Sequence, residues 1–184
     1  MKYRERTGVP PVERGMLMFY NMGRFSAEQR DRAIFDAASA DKYLARLHDY
    51  PLPLDLALPI WSWTLHLRDG EVLDLLQSTD PQELADVAFL RRSGHDRYVA
   101  TDTAFFRGAL LREGDELKGE SLSPAELSAA VAQVLPKLAP APSSSPRSLA
   151  LFDLSERNLR RHDSSRLEQL FVSAGSRPLP PPQR

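Results

Sequence analysis

The chain has 184 residues, 42% of them hydrophobic and 27% charged, which is enough for one domain with a buried core and short for two. Its 24 lysines and arginines against 25 aspartates and glutamates give a net charge of −1, which excludes the strong basic excess of nucleic-acid-binding proteins. The absence of cysteine excludes disulfides, thiolate metal sites and cysteine nucleophiles.

The terminus and the apolar stretches predict a protein without an export signal or a membrane span. Residues 1–15 are polar and are expected to form a lead-in segment, with no apolar core of a signal peptide. The longest apolar stretch, residues 54–67, is interrupted by Asp55 and a proline, which argues against a spanning helix. As written, the sequence therefore predicts a soluble, cytoplasmic protein that binds neither membranes nor nucleic acid.

The first half of the chain predicts two strands with a helix between them. Residues 16–21 form a short continuous apolar run, typical of a strand buried on both faces. Asp36 is a suitable N-cap for a helix over 37–47, whose apolar residues recur at helical spacing. Residues 54–59 alternate, with leucines on one face and Asp55 on the other, and predict a second strand.

The middle of the chain predicts an insertion. Residues 63–76 indicate a hairpin around an Arg-Asp-Gly-Glu turn, and Asp80-Pro81 is typical of the start of a short helix. Residues 93–122 give the weakest pattern, compatible with short strands at 98–100 and 117–121 or with an excursion loop.

The last third predicts two helices around a third strand. Residues 123–126 form a capping box that opens a helix to about residue 138. A strand over 148–154 follows, then a helix capped by Asp163, and residues 176–184 are expected to be a disordered proline-rich tail.

Strands alternating with helices imply parallel pairing through right-handed crossovers. The fold class predicted from this order is α/β, a partial (half) TIM-type β/α barrel of about three strand-helix units with an inserted β-hairpin. The predicted organisation is a lead-in over 1–15, one partial-barrel domain over 16–175 and the tail.

Two blocks of the sequence, MFYNMG at residues 18–23 and YPLPLDLALPIWSW at residues 50–63, resemble a known group of proteins. They are similar to the C-terminal portion of uncharacterised bacterial β/α-barrel proteins of glycoside-hydrolase type. The resemblance implies carbohydrate binding or processing as a loose functional class. In such relatives the acidic motif expected to carry catalysis lies upstream, so the resemblance implies activity only with a missing N-terminal half-barrel.

A barrel would gather ligand-binding side chains at the carboxyl ends of its strands. Trp61 and Trp63 follow the second strand, and their indole rings can stack on sugars or simply cover the barrel mouth. Tyr20 and Asn21 end the first strand and can hydrogen-bond hydroxyl groups, although Asn21 equally suits a turn. These four residues are the predicted ligand-binding set.

Three carboxylates are candidates for catalysis, each with a structural alternative. Asp55 is expected to point into the barrel, where a structural ion pair or hydrogen bond to a neighbouring strand is the commoner role. Asp153 and Glu156 follow the third strand and could act as an acid/base pair. A solvated loop, or an ion pair of Glu156 with Arg157, is the alternative.

The histidines lack the spacing of metal ligands and no glycine-rich phosphate loop is present, so no metal and no cofactor are predicted. Two hypotheses of function remain. One is a carbohydrate-binding barrel fragment. The other is a non-enzymatic interaction protein that self-associates as a homo-oligomer or binds a partner through an open sheet edge.

Overall fold

The computed structural model describes residues 8–28, 31–45, 47, 49–77, 79–139 and 146–173. Within them the chain forms ten strands, four α-helices and two short 3-10 helices, divided between two compact units. The first unit takes its residues from 1–20, 37–59 and 123–184, and the second takes them from 21–36 and 60–122.

The first unit contains a three-stranded parallel sheet. Its strands are β1 (Gly15–Met18), β2 (Leu54–Pro59) and β10 (Leu149–Phe152), with β2 in the middle. Because partners in register share a face and successive residues alternate, the leucines of all three strands lie on one side. Every residue of β2 is buried, as expected for a central parallel strand.

Four helices belong to the same unit. They are α1 (Ala37–Leu44), α2 (Pro124–Val134), α3 (Glu156–Arg160) and α4 (Ser164–Ser173). The predicted capping box is confirmed, because the Ser123 hydroxyl accepts from the main-chain N–H of Glu126 at 3.3 Å. A 3-10 helix, Leu135–Lys137, extends α2.

The second unit is built on a five-stranded antiparallel sheet in the order β4-β3-β9-β6-β5. Its strands are β3 (Trp63–Arg68), β4 (Glu71–Gln77), β5 (Leu90–Gly94), β6 (Arg97–Ala100) and β9 (Glu116–Glu120). The predicted β3–β4 hairpin is confirmed, with Asp69 and Gly70 at positive φ in its turn.

One face of this sheet carries the apolar core of the second unit. A 3-10 helix (Glu83–Asp86) and a hairpin of β7 (Ala104–Phe106) and β8 (Ala109–Leu111) contribute to it. The buried members of this core are Leu76, Leu84, Leu90, Tyr98, Ala100, Ala109, Leu111 and Leu117.

The predicted partial TIM-type barrel is wrong. The three predicted strands do pair in parallel, but residues 63–122 form seven strands, β3 to β9, which pair antiparallel. Turns as short as Asp69-Gly70 cannot join parallel neighbours, which need a crossover of a dozen or more residues. The chain is therefore mainly antiparallel and lacks the repeated strand-helix units of a barrel in its described part.

Candidate interaction surface

The outer side of β1 is an open sheet edge. In the part of the chain that the structure describes, no strand pairs with the outer side of β1 or of β10. Gly15 N donates to Pro53 O at 3.0 Å and Phe19 N donates to Ala57 O at 2.9 Å. Because main-chain groups alternate in direction along a strand, those of Met16 and Met18 point away from β2.

The methionine side chains of β1 are exposed. Met16 is 50% exposed and Met18 is 65% exposed. They lie in register with Asp55 and Ala57 of β2, so they stand on the sheet face opposite the leucines.

The same face continues across β2 to β10. Phe152 is in register with Pro59 and is 53% exposed. Its ring stacks on that of Tyr20, with 5.8 Å between the ring centroids and 10° between the planes. Burial raises the pKa of the Tyr20 hydroxyl. We call this side of the sheet the methionine face. Met16, Met18 and Phe152 are exposed on it, Ala150 and the stacked Tyr20 are half-buried, and its β2 residues Asp55, Ala57 and Pro59 are buried.

The carboxylate on the methionine face is buried and paired. Asp55 Oδ1 accepts a hydrogen bond of 2.7 Å from Ser148 N and lies 3.3 Å from Nη1 of Arg14. For Asp55, the sequence suggested a structural ion pair or hydrogen bond to a neighbouring strand as the alternative to catalysis. The structure contains contacts of this structural kind. The methionine face therefore presents methyl, methylene and aromatic groups.

The two sheets differ in the chemistry of their edges. The edge strands of the five-stranded sheet carry charges, Glu71 and Asp74 on β4 and Arg91 and Arg92 on β5. Charged side chains on an edge strand oppose pairing with another strand. The edge strands of the three-stranded sheet read Gly-Met-Leu-Met and Leu-Ala-Leu-Phe and carry none.

The second unit holds two buried polar clusters, of which the first is centred on Asp115. Arg68 donates to both Asp115 oxygens at 2.7 Å, His66 Nε2 lies 2.7 Å from Oδ2, and Arg112 N donates at 2.8 Å. The Arg68 guanidinium, helped by the Arg112 N–H and by His66, holds the pKa of Asp115 well below its usual range. These bonds saturate the carboxylate, so the cluster is suited to stabilising the sheet.

The second cluster anchors segment 21–36 to strand β9. The Lys118 ammonium, 1% exposed, donates to the carbonyls of Ser26 at 3.0 Å and Glu28 at 2.8 Å, and also to that of Asp31. Burial lowers the pKa of Lys118, and the carboxylate of Glu120, 3.2 Å away, opposes that shift.

Glu120 holds the next part of the same segment. Its Oε2 accepts from Ala33 N at 2.9 Å, from Ile34 N at 3.4 Å and from Trp63 Nε1 at 3.0 Å. The alternating residues Lys118 and Glu120 therefore point to one side of β9 and fix the main chain of segment 21–36 there.

The predicted sugar-stacking tryptophans are half-buried in the second unit. Their ring centroids lie 6.2 Å apart with planes tilted by 56°, and Phe25 lies 5.4 Å from Trp63. Asn21 has a φ of 54° and its N–H donates to Ile34 O at 2.7 Å, which fits the turn alternative. Tyr20, in contrast, belongs to the methionine face of the first unit.

The candidate acids after β10 take part in local contacts. Asn158 donates from its side chain to the Asp153 carboxylate. Glu156 forms an exposed pair with Arg160 at 2.5 Å, one helical turn away. The candidate acids Asp55, Asp153 and Glu156 lie in the first unit, and Trp61 and Trp63 lie in the second.

The interpretation of this chain as a glycoside-hydrolase-like TIM barrel with a carbohydrate-binding rim is therefore corrected. A mainly antiparallel sheet architecture does not bring successive strand ends to one rim, and nothing in the fold supports carbohydrate binding. The described residues contain no group of three histidine, aspartate or glutamate side chains placed to hold a metal ion. They also contain no helix long and apolar enough to cross a membrane.

Comparison with protein-family models, with curated proteins and with solved structures found no match to this chain. The resemblance of the blocks at 18–23 and 50–63 to barrel proteins stays a prediction.

The sequence allowed the hypothesis that the chain associates through an open sheet edge, but it did not show which strand forms that edge. The lack of charge in residues 15–18 and 149–152 is visible in the sequence. Which strands lie at an edge is set by pairing between distant segments, because β2 comes between β1 and β10 in the sheet.

Proposed function

We propose that this chain is a non-enzymatic interaction protein, which associates through the outer edge of β1 and the adjoining methionine face. The observation that carries the proposal is the contrast between two sheets of one chain. The edges of one sheet are protected by charges, and the edges of the other consist of uncharged residues with exposed methionines.

The physical chemistry favours occupation of this surface. Parallel sheets are normally covered on both faces; the methionine face is covered at the central strand β2 but leaves Met16, Met18 and Phe152 of the outer strands about half exposed or more. Fully burying a methionine or phenylalanine side chain contributes roughly 1.5–3 kcal/mol. Each main-chain hydrogen bond made at the edge adds about 0.5–1.5 kcal/mol.

The polar residues of the chain support a binding role more than a catalytic one. Asp115 has both carboxylate oxygens engaged by Arg68, Asp55 is buried with its Oδ1 bonded to Ser148 N, and Lys118 is 1% exposed. A catalytic group must reach a bound substrate, and saturated or fully buried groups do not.

Site-specific photocross-linking tests this proposal. A benzophenone amino acid placed at position 18 should give a cross-linked adduct in the cells that express the protein. The matched control is position 73, because Leu73 is also exposed (48%) but lies on β4, whose edge is charged. An adduct at position 18 and none at position 73 is the expected result; no adduct at position 18 contradicts the proposal.

A further inference from the structure

Resting on this proposed function, we infer that the occupant of the β1 edge is a second copy of this chain, paired antiparallel about a two-fold axis. The two three-stranded sheets then form one continuous sheet of six strands with β1 next to β1 at its centre. Two-fold dimers are the commonest closed assemblies, and their interface uses the same patch on both copies.

The side chains of β1 are more exposed than those of β10, the opposite edge strand, which favours β1 as the site of pairing. On β10, Leu149 is buried and Ala150 and Leu151 are half-buried, so that edge has less accessible surface to offer. On β1 both residues whose main-chain groups point outward, Met16 and Met18, are at least half exposed.

The alternation along β1 fixes the register of the pair. Residues that exchange both main-chain hydrogen bonds in an antiparallel pair must each point their N–H and C=O toward the other strand. On β1 these residues are Met16 and Met18. The register that engages both of them places Met16 of one copy opposite Met18 of the other, with Leu17 opposite its own counterpart at the two-fold axis.

Charge and side-chain chemistry favour a second copy as the occupant. The strand is uncharged and the whole chain has a net charge of −1, so two copies meet without appreciable repulsion. Like-charged residues directly opposite each other oppose strand pairing, and β1 has none. Methionine is unbranched and flexible, so Met16 and Met18 can pack against each other across the axis.

The test is the mass of the purified chain in solution, measured by sedimentation equilibrium over a range of concentrations. The wild-type chain should approach twice the mass of one chain. The Met18→Lys variant, altered at a side chain 65% exposed, should weaken dimerisation by at least about tenfold, because it places a cation opposite Met16 of the other copy in an apolar interface.

A second variant tests the hydrogen bonds themselves. Met18→Pro removes an outward N–H but keeps the bond from Phe19 N to Ala57 O within the sheet. It should give a monomer whose circular dichroism matches that of the wild type. Leu73→Lys, on the charged edge strand β4, is the control and should leave the dimer intact.

Different outcomes of these experiments distinguish the inference of a second copy from the proposed interaction function. A chain that is monomeric at every concentration overturns the inference of a second copy, and so does a dimer unaffected by Met18→Lys. If the photocross-linker at position 18 then traps a different protein, the proposed interaction surface stands with another occupant. If it traps nothing, the proposed function fails as well.

Discussion

The buried pair Lys118 and Glu120 shows how two side chains can decide the course of a distant segment. Between them they satisfy main-chain groups of five residues in segment 21–36. A buried lysine without such acceptors is strongly destabilising. The anchoring of that segment is therefore expected to depend on both residues together.

A double-mutant cycle measures this dependence. Lys118→Met should lower the free energy of unfolding by about 3–5 kcal/mol, because it leaves the Glu120 carboxylate buried without its cation. Lys118→Met combined with Glu120→Gln should lower it by less than the sum of the single effects, by about 0.5–3 kcal/mol. Urea unfolding followed by tryptophan fluorescence, to which Trp61 and the Glu120-bonded Trp63 both contribute, gives the values.

The control for this cycle is Lys137→Met, since Lys137 is exposed and its loss should change stability by less than about 0.5 kcal/mol. A Lys118→Met variant as stable as the control would contradict the anchoring role.

A second prediction at the level of single residues concerns Asp115 and how the stability of the chain depends on pH. Its pKa is held low in the folded chain by Arg68, while in the unfolded chain a carboxyl of this kind titrates near about 3.9. The carboxylate therefore contributes its full stabilisation above that value, and the contribution falls as the pH drops below it.

We expect the urea midpoint of the wild-type chain to fall more steeply than that of Asp115→Asn as the pH is lowered from about 5 to about 2. At neutral pH, Asp115→Asn should itself be less stable by about 3 kcal/mol, because Arg68 loses its partner. Asp102→Asn, at an exposed position, is the matched control. Parallel pH profiles for wild type and Asp115→Asn would contradict the assignment.

At the scale of elements, the β3–β4 hairpin depends on its turn. Gly70 has a φ of +80°, in the left-handed region that side chains other than glycine avoid. Gly70→Ala should lower the free energy of unfolding by about 1 kcal/mol.

Gly94 provides the comparison, because it does not have positive φ and an added Cβ would lie 3.5 Å from Arg97, an ordinary contact. Gly94→Ala should shift the thermal midpoint much less than Gly70→Ala does. Equal shifts would show that the turn conformation is not the cause.

The elements that the sequence predicted well are those encoded by neighbouring residues. The hairpin turn at Asp69-Gly70 and the capping box at 123–126 each need only a few adjacent side chains, and both are confirmed. Helix α1 ends at Leu44 and not at residue 47, which is within the usual spread of helix ends.

The elements that the sequence predicted poorly are those fixed by distant pairing. Strand β9 lies between β3 and β6, and its contact with β3 joins Trp63 to Glu120. Its alternating Glu116, Lys118 and Glu120 do not resemble a buried strand. Lys118 and Glu120 are nevertheless buried, because main-chain groups of segment 21–36 satisfy them, and Glu116 pairs with Arg97 of β6. No local pattern contains that information.

At the scale of the molecule, a mainly antiparallel sheet is inserted between two strands that pair in parallel. The stretch 60–122 follows β2 and precedes α2, and its first and last strands, β3 and β9, are neighbours. The parallel sheet can thus form from β1, β2 and β10 although 89 residues separate the last residue of β2 from the first of β10. Among the described residues, no strand pairs with the uncharged outer edge of β1.

The mass of the purified chain in solution, compared with that of its Met18→Lys variant at the same concentration, tests this account most directly. The account predicts a dimer for the wild-type chain and a monomer for the variant, with the circular dichroism unchanged. A wild-type chain that stays monomeric up to high concentration, or a variant that dimerises as well as the wild type, would contradict it.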